Sequence, residues 1–120
     1  MSGIAIKIYD ALNPSIKVIG LEGEMDEPSL QDIKPNLDPI LNDLTVMHVI
    51  FDLKDLNYIN SKGIGYLVAV HTHLSKNQRK LILCSAQETV MDVMSLVGLT
   101  SIIPHFETLE EALQQTPSVA

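Results

Sequence analysis

Tryptophan is absent from the 120 residues, and aromatic side chains make up only 4% of them. A core built from this chain must therefore be aliphatic, and an apolar content of 46% is enough to build one. The single cysteine, Cys84, excludes an intrachain disulfide and fits a reducing compartment. It closes the apolar run Leu81-Ile82-Leu83-Cys84, where a small buried side chain is expected and no neighbour would favour a thiolate. Positive charge is scarce too. Eight Lys and Arg face fifteen Asp and Glu, the formal charge is −7, and Arg79 is the sole arginine. Nucleic acid and anionic membrane surfaces are held by clusters of Lys and Arg. The sequence has no such cluster, so neither is an expected partner, whereas a basic patch on another protein would be complementary. No apolar run approaches the roughly 20 residues of a membrane span. Met1-Ser2-Gly3 leads straight into an alternating pattern, without the basic and apolar segments of a secretion signal. A cytoplasmic protein without membrane insertion is expected.

The length suits one domain over residues 1–120, with its core between about 4 and 115 and a flexible tail at 116–120. Ile4, Ile6 and Ile8 alternate with Ala5, Lys7 and Tyr9, which is the period of a half-buried strand. Asn13-Pro14-Ser15 marks a turn, and a second alternating strand from Ile16 completes an antiparallel hairpin that ends near Gly23. Leu30, Ile33, Leu37, Ile40, Leu41 and Leu44 then recur at helical spacing. Pro28 suits a first turn, while Pro35 and Pro39 predict a bend or break within about 28–43. Val46 to Leu53 reads as a strand covered on both faces, followed by a loop from Lys54 to Tyr58.

A helix from Asn60-Ser61-Lys62-Gly63 to about Lys76 comes next, then a strand from Arg79 to Cys84. Ser85 with Glu88 reads as a capping box for a helix whose stripe is Val90, Val93, Met94 and Val97, stopped by Gly98. Ile102-Ile103 gives a short last strand. Thr108 with Glu111 caps a terminal helix ending near Gln115. Strands alternating with helices call for right-handed crossovers and a largely parallel sheet centre.

The segment 52–74 carries the most chemical information. Asn60 is a strong helix N-cap. It places the Ser61 hydroxyl at a helix N-terminus, where several backbone amides are expected to point outward and the dipole favours negative charge. A phosphate on Ser61 would sit in a favourable field, with Lys62 as a neighbouring cation. At 100° per residue, Ile64, Leu67, Val68, His71 and Leu74 share the arc that should face the sheet. Lys62, Tyr66, Ala69 and His73 share the opposite arc, with Val70 at the boundary. That outer strip, beside a modifiable hydroxyl, is a candidate partner surface.

The run from Phe51-Asp52-Leu53 through Ile59-Asn60-Ser61-Lys62-Gly63-Ile64-Gly65 resembles the signature of STAS domains. That signature is an apolar strand ending in Asp-Leu, a loop, then Asp-Ser-Ser/Thr-Gly-Leu-Gly. Leu21-Glu22-Gly23-Glu24-Met25-Asp26 is similar to the family's Gly-Glu-Leu-Asp turn. The resemblance extends from about Ile4 to Leu113. It implies a single α/β domain, with a mixed central sheet of about five strands and helices mainly on one side. It also implies an anti-sigma-factor antagonist in bacteria. In such a protein the unphosphorylated form binds a kinase-type anti-sigma factor. That kinase phosphorylates the serine aligning with Ser61, and a PP2C-type phosphatase reverses the modification. Glu24 and Asp26 align with turn residues near the same partner surface. Two positions depart from the family: Asn60 replaces the Asp, and Lys62 replaces the second Ser/Thr. They motivate an alternative, a STAS scaffold in a transporter or signalling complex that is never phosphorylated.

Other patterns point away from catalysis. Gly63-Ile64-Gly65 begins a dinucleotide fingerprint, but Val68 stands where a third glycine is needed, so no cofactor is expected. His71 and His73 are two apart on a helix and cannot easily share a metal, while His48 and His105 stand alone. No acid, base and nucleophile converge, so no catalytic residue is assigned and no enzyme is expected.

Overall fold

A computed structural model describes residues 3–117, and the expected tail beyond Pro117 lies outside the described residues. The N-terminal alternation forms β1 (Ile4–Asp10), which pairs antiparallel with β2 (Ile16–Met25), Ile6 lying opposite Leu21. The turn between them is closed by Asn13, whose Oδ1 accepts from the Ser15 amide at 2.9 Å. The first half of β2 pairs in parallel with β3 (His48–Asp52), and its last residues pair with β4 (Leu56–Ile59). β5 (Lys80–Cys84) lies parallel to β3, and β6 (His105–Phe106) parallel to β5. The sheet thus runs β1-β2-β3-β5-β6, with β4 as a sixth strand on β2.

Strand β4 replaces part of the expected loop at 54–58. Only Leu56 and Ile59 of its four residues are buried, so its pairing with β2, rather than a periodicity of its own, makes it a strand.

The helices are α1 (Glu27–Leu41), α2 (Ser61–Ser75), α3 (Glu88–Leu96) and α4 (Leu109–Gln114), with a 3₁₀ turn at Leu99–Ser101. Alternation divides the sheet's side chains between two layers. Ile19, Leu21, Val49, Phe51, Leu81 and Leu83 pack with Ile33, Leu37, Leu67, Val70, Val90 and Met94 of the first three helices. Ile16, Val18, Ile50, Ile82 and Cys84 pack on the other side with Ala112 of α4. Three helices on one face and one short helix on the other match the expected mixed α/β domain.

Several local expectations are corrected. α1 is unbroken through Pro35 and Pro39. Both prolines are exposed, as is Gln31, so the carbonyls of Gln31 and Pro35 lose their helical donors where solvent can substitute. The Ser85–Glu88 capping box does not form. Ser85 has φ +61° and gives its amide to the Phe106 carbonyl, and α3 begins after Gln87 with no side-chain cap. Gly98 does end α3, in the left-handed conformation at φ +78°, but Val97 is exposed rather than part of the buried stripe. The last strand is His105–Phe106, not Ile102-Ile103. Thr108 Oγ1 accepts the Glu111 amide at 3.1 Å, as the final cap requires.

Arg79 is buried at the foot of β5. It donates from Nε to the Val46 carbonyl and from Nη1 to that of Leu41, and its Nη2 reaches the carbonyls of Ile40 and Asp43. The sole arginine thereby closes the C-terminal end of α1.

Candidate functional site

Strands β2 and β4 end side by side, with Glu24 opposite Tyr58 and Met25 opposite Ile59. The register shifts between Gly23 and Glu24. Gly23 adopts φ +115°, and a β-carbon there would lie 2.3 Å from the Gly3 carbonyl oxygen. Only glycine allows this bulge.

Each strand then runs directly into a helix. Asp26 caps α1: its Oδ1 accepts the Ser29 amide at 3.0 Å, and Ser29 Oγ accepts the Asp26 amide at 2.9 Å. Asn60 caps α2: its Oδ1 accepts the amides of Lys62 at 3.0 Å and Gly63 at 3.2 Å. The Asn60 amide donates to the Met25 carbonyl at 3.2 Å and ties the two junctions together. Two helix N-termini, each with a positive dipole end, therefore open at one place. Asn60→Ala is expected to lower stability by about 1 kcal/mol through the lost cap. Urea unfolding checks this.

Gly63 brings α2 against the first junction. A β-carbon there would sit 2.7 Å from both the Met25 carbonyl oxygen and Ile59 Cγ1. The carbonyl is backbone and cannot swing away, so Gly63→Ala is expected to cost about 1–3 kcal/mol. A fall in the unfolding midpoint at unchanged denaturant slope is the readout.

Ser61 is the first residue of α2, and both it and Lys62 are exposed. The field at Ser61 differs in one respect from expectation. Asn60 already engages the amides of Lys62 and Gly63, so of the first three amides of α2 only that of Ser61 itself is not engaged by the cap. What favours an added anion is the helix dipole and the Lys62 cation more than a fan of free donors.

The expected outer strip of α2 is also revised. Lys62 and Ala69 are exposed, and His73 is half-buried, its Nε2 donating to the Leu41 carbonyl at 3.1 Å. Tyr66 is buried at 8% exposure. The buried arc of α2 holds Gly63, Tyr66, Leu67, Val70 and Leu74 because the helix packs against α1 as well as the sheet. Ile64, Val68 and His71, expected to face the sheet, are only partly buried. Glu24 and Asp26 are half-buried at the junction.

Tyr58 went unremarked in the sequence. It is 49% exposed beside Glu24 in the ladder. Strand alternation would not have found it, because period two puts Tyr58 on the face of the buried Leu56. Among the described residues, no group of three or more His, Cys, Asp or Glu is placed to hold a metal ion. No helix among them is long and apolar enough to cross a membrane.

Residues 8–112 match the STAS domain family. The chain belongs to the STAS domain family. This STAS domain is 20% identical over 105 residues to the anti-sigma F factor antagonist of Paenibacillus polymyxa, covering 88% of this chain and 90% of that protein. The unphosphorylated form of the anti-sigma factor antagonist SpoIIAA superposes with a TM-score of 0.77 at 23% identity, over 92% of this chain and 95% of that one. The phosphorylated form of Bacillus SpoIIAA gives 0.71 at 22% identity, over 92% and 98%. The murine anion transporter Slc26a9 gives 0.73 at 13% identity, over 95% of this STAS domain but 22% of the transporter chain. The fold is thus that of the anti-sigma factor antagonists, and it recurs within a transporter.

Proposed function

We propose that this STAS domain is a bacterial, cytoplasmic regulator of transcription that acts by partner switching and is not an enzyme. In its unphosphorylated form it docks on a kinase-type anti-sigma factor. The docking surface is the double junction of Glu24, Asp26, Asn60, Ser61 and Lys62, continued along α2 by Ala69 and His73 and underlain by Tyr66. The observation that carries this reading is the exposed Ser61 hydroxyl, held at the first position of α2 by the Asn60 cap.

The kinase reaction follows from that placement. Ser61 Oγ attacks the γ-phosphorus of ATP, the new O–P bond forms as the bond to the β-phosphate oxygen breaks, ADP leaves, and a base of the kinase takes the hydroxyl proton. The product adds close to two negative charges to a chain already at −7. A PP2C-type phosphatase restores the hydroxyl by transferring the phosphoryl group to water. Support comes from the antagonist relatives and from one of them having both phosphorylation states.

The test is incubation with the cognate anti-sigma kinase and ATP, read by intact mass. One phosphate on the wild-type chain and none on Ser61→Ala supports the switch. Asn60 and Lys62, where the family signature has Asp and a hydroxyl residue, favour a second reading, a scaffold that is never phosphorylated. Recovery of the chain unmodified, yet bound to its partner, would select that reading.

A further inference from the structure

Tyr66 presents a problem the switch does not use. Among the described residues its hydroxyl has no hydrogen-bond partner, although the oxygen is buried. A buried polar atom left unpaired is costly, and native structures contain few of them. This one lies under a groove of about 310 Å³ between α1 and α2. Along its rim stand Lys34 and Asp38 of α1, Asn42 just beyond it, and Ala69 and His73 of α2. Lys34 and Asp38 are exposed and belong to neither ion pair found among the described residues.

The groove favours a cation. Asp38 supplies a carboxylate close enough to act electrostatically on Tyr66. Asn42 and the phenol oxygen can accept hydrogen bonds. The chain as a whole carries −7. Lys34 is the one cation on the rim, and it sits on a flexible stem. Several acceptors in a slot between two helices suit a planar guanidinium, with its five donors, better than an ammonium. Tyr66 follows Lys62 by one helical turn, so the groove begins close to the Ser61 end of α2.

The geometry points to the α1–α2 groove as the seat of an arginine side chain of the docking protein, anchored by Tyr66 Oη and the Asp38 carboxylate. This deepens the docking reading and rests on it.

The test uses the full chain alone. Argininamide is titrated into isotope-labelled protein, with citrulline amide as its uncharged isostere, and backbone amide resonances are followed. Argininamide is expected to shift Tyr66, Ala69 and His73 saturably, and citrulline amide to bind at least about tenfold more weakly. Asp38→Asn should weaken argininamide about tenfold and Tyr66→Phe about fivefold. Tyr66→Phe should at the same time raise the melting temperature, because it removes the unpaired hydroxyl. A merely structural tyrosine would show the rise without the loss of affinity. The inference is overturned by shifts that never saturate, by equal response to the two amides, or by Tyr66→Phe or Asp38→Asn binding as wild type does. A failure to phosphorylate Ser61 would leave these shifts untouched, so the two readings fail separately.

Discussion

Ser61→Ala should capture the anti-sigma factor equally well with and without ATP, whereas Ser61→Asp should bind it at least about 30-fold more weakly than the wild-type chain. The asymmetry follows from what surrounds the hydroxyl. Ser61 is exposed, so removing its Oγ should change stability by less than about 0.5 kcal/mol. An acid at the first position of a helix is favoured by the dipole, so Ser61→Asp should be as stable as wild type or more so, by about 0.3–1 kcal/mol. Neither variant can lose binding by unfolding. On docking, the partner must strip water from whatever occupies this position. An ionised group buried without a counter-charge costs about 3–5 kcal/mol, and 1.4 kcal/mol is a factor of ten in affinity. A 30-fold loss for the smaller, singly charged carboxylate is therefore a lower bound for the phosphate. Titration calorimetry against the partner, with melting temperatures measured in parallel, decides the matter. If alanine and aspartate bind alike, charge at this position is not what the partner reads.

The part of this site that was legible in the sequence was the part decided by neighbours along the chain. Asn60 caps α2 because its side chain reaches amides two and three residues on, and those contacts are the same in any fold that starts a helix there. Gly98 stopping α3 and Thr108 starting α4 are of the same kind. Ser85 shows the limit. It carries the same capping signal with Glu88, but its amide is taken by the Phe106 carbonyl of β6, and the backbone turns to φ +61° to reach it. A distant pairing outweighed a local cap.

The face of α2 failed for a related reason. A single buried arc assumes one packing partner, and α2 has two, so the arc widens to take in Tyr66 and Val70 on the α1 side. Strand β4 was missed because its four residues owe their conformation to β2. The convergence of the two helix N-termini follows from that same pairing, which periodicity alone does not reveal. Arg79 was noticed only as a scarcity. A lone arginine in a chain of net charge −7, set between a helix end and an apolar strand, was a cue to a structural cation that composition could raise but not place.

Arg79→Ala is expected to lower the unfolding free energy by about 3–5 kcal/mol, against a total of about 5–15 kcal/mol for a domain of this kind. The last carbonyls of a helix have no partner within it. In α1 no basic side chain of its own last turn supplies one. Arg79 does so from across the core, with Nη1 at 2.7 Å from the Leu41 oxygen, Nε at 2.6 Å from that of Val46, and Nη2 at 2.9 Å from that of Asp43 and 3.3 Å from that of Ile40. Truncation would leave the Val46 carbonyl of a buried residue without its donor and the Leu41 carbonyl with His73 Nε2 alone, while the Ile40 and Asp43 carbonyls keep the backbone amides of Asp43 and Val46. It would also remove a positive charge from the negative end of the helix.

Burial lowers the guanidinium pKa, but arginine starts so high that it stays charged at neutral pH. Arg79→Lys keeps that charge yet offers one ammonium where a planar fork reaches four carbonyls, so it should recover less than half of the loss. The Leu41 oxygen would still hold His73 Nε2, so the segment after α1 should loosen at Asp43 and Val46 before α1 detaches from α2. The N-terminus of α1 lies some fifteen residues away, roughly 20 Å along the helix. Whatever fraction of Arg79→Ala remains folded should therefore still present Ser61 to the kinase. Urea unfolding of the three proteins, read alongside phosphorylation under native conditions, separates the two effects. A loss below about 1 kcal/mol for alanine would mean that the guanidinium does not hold this end of the fold.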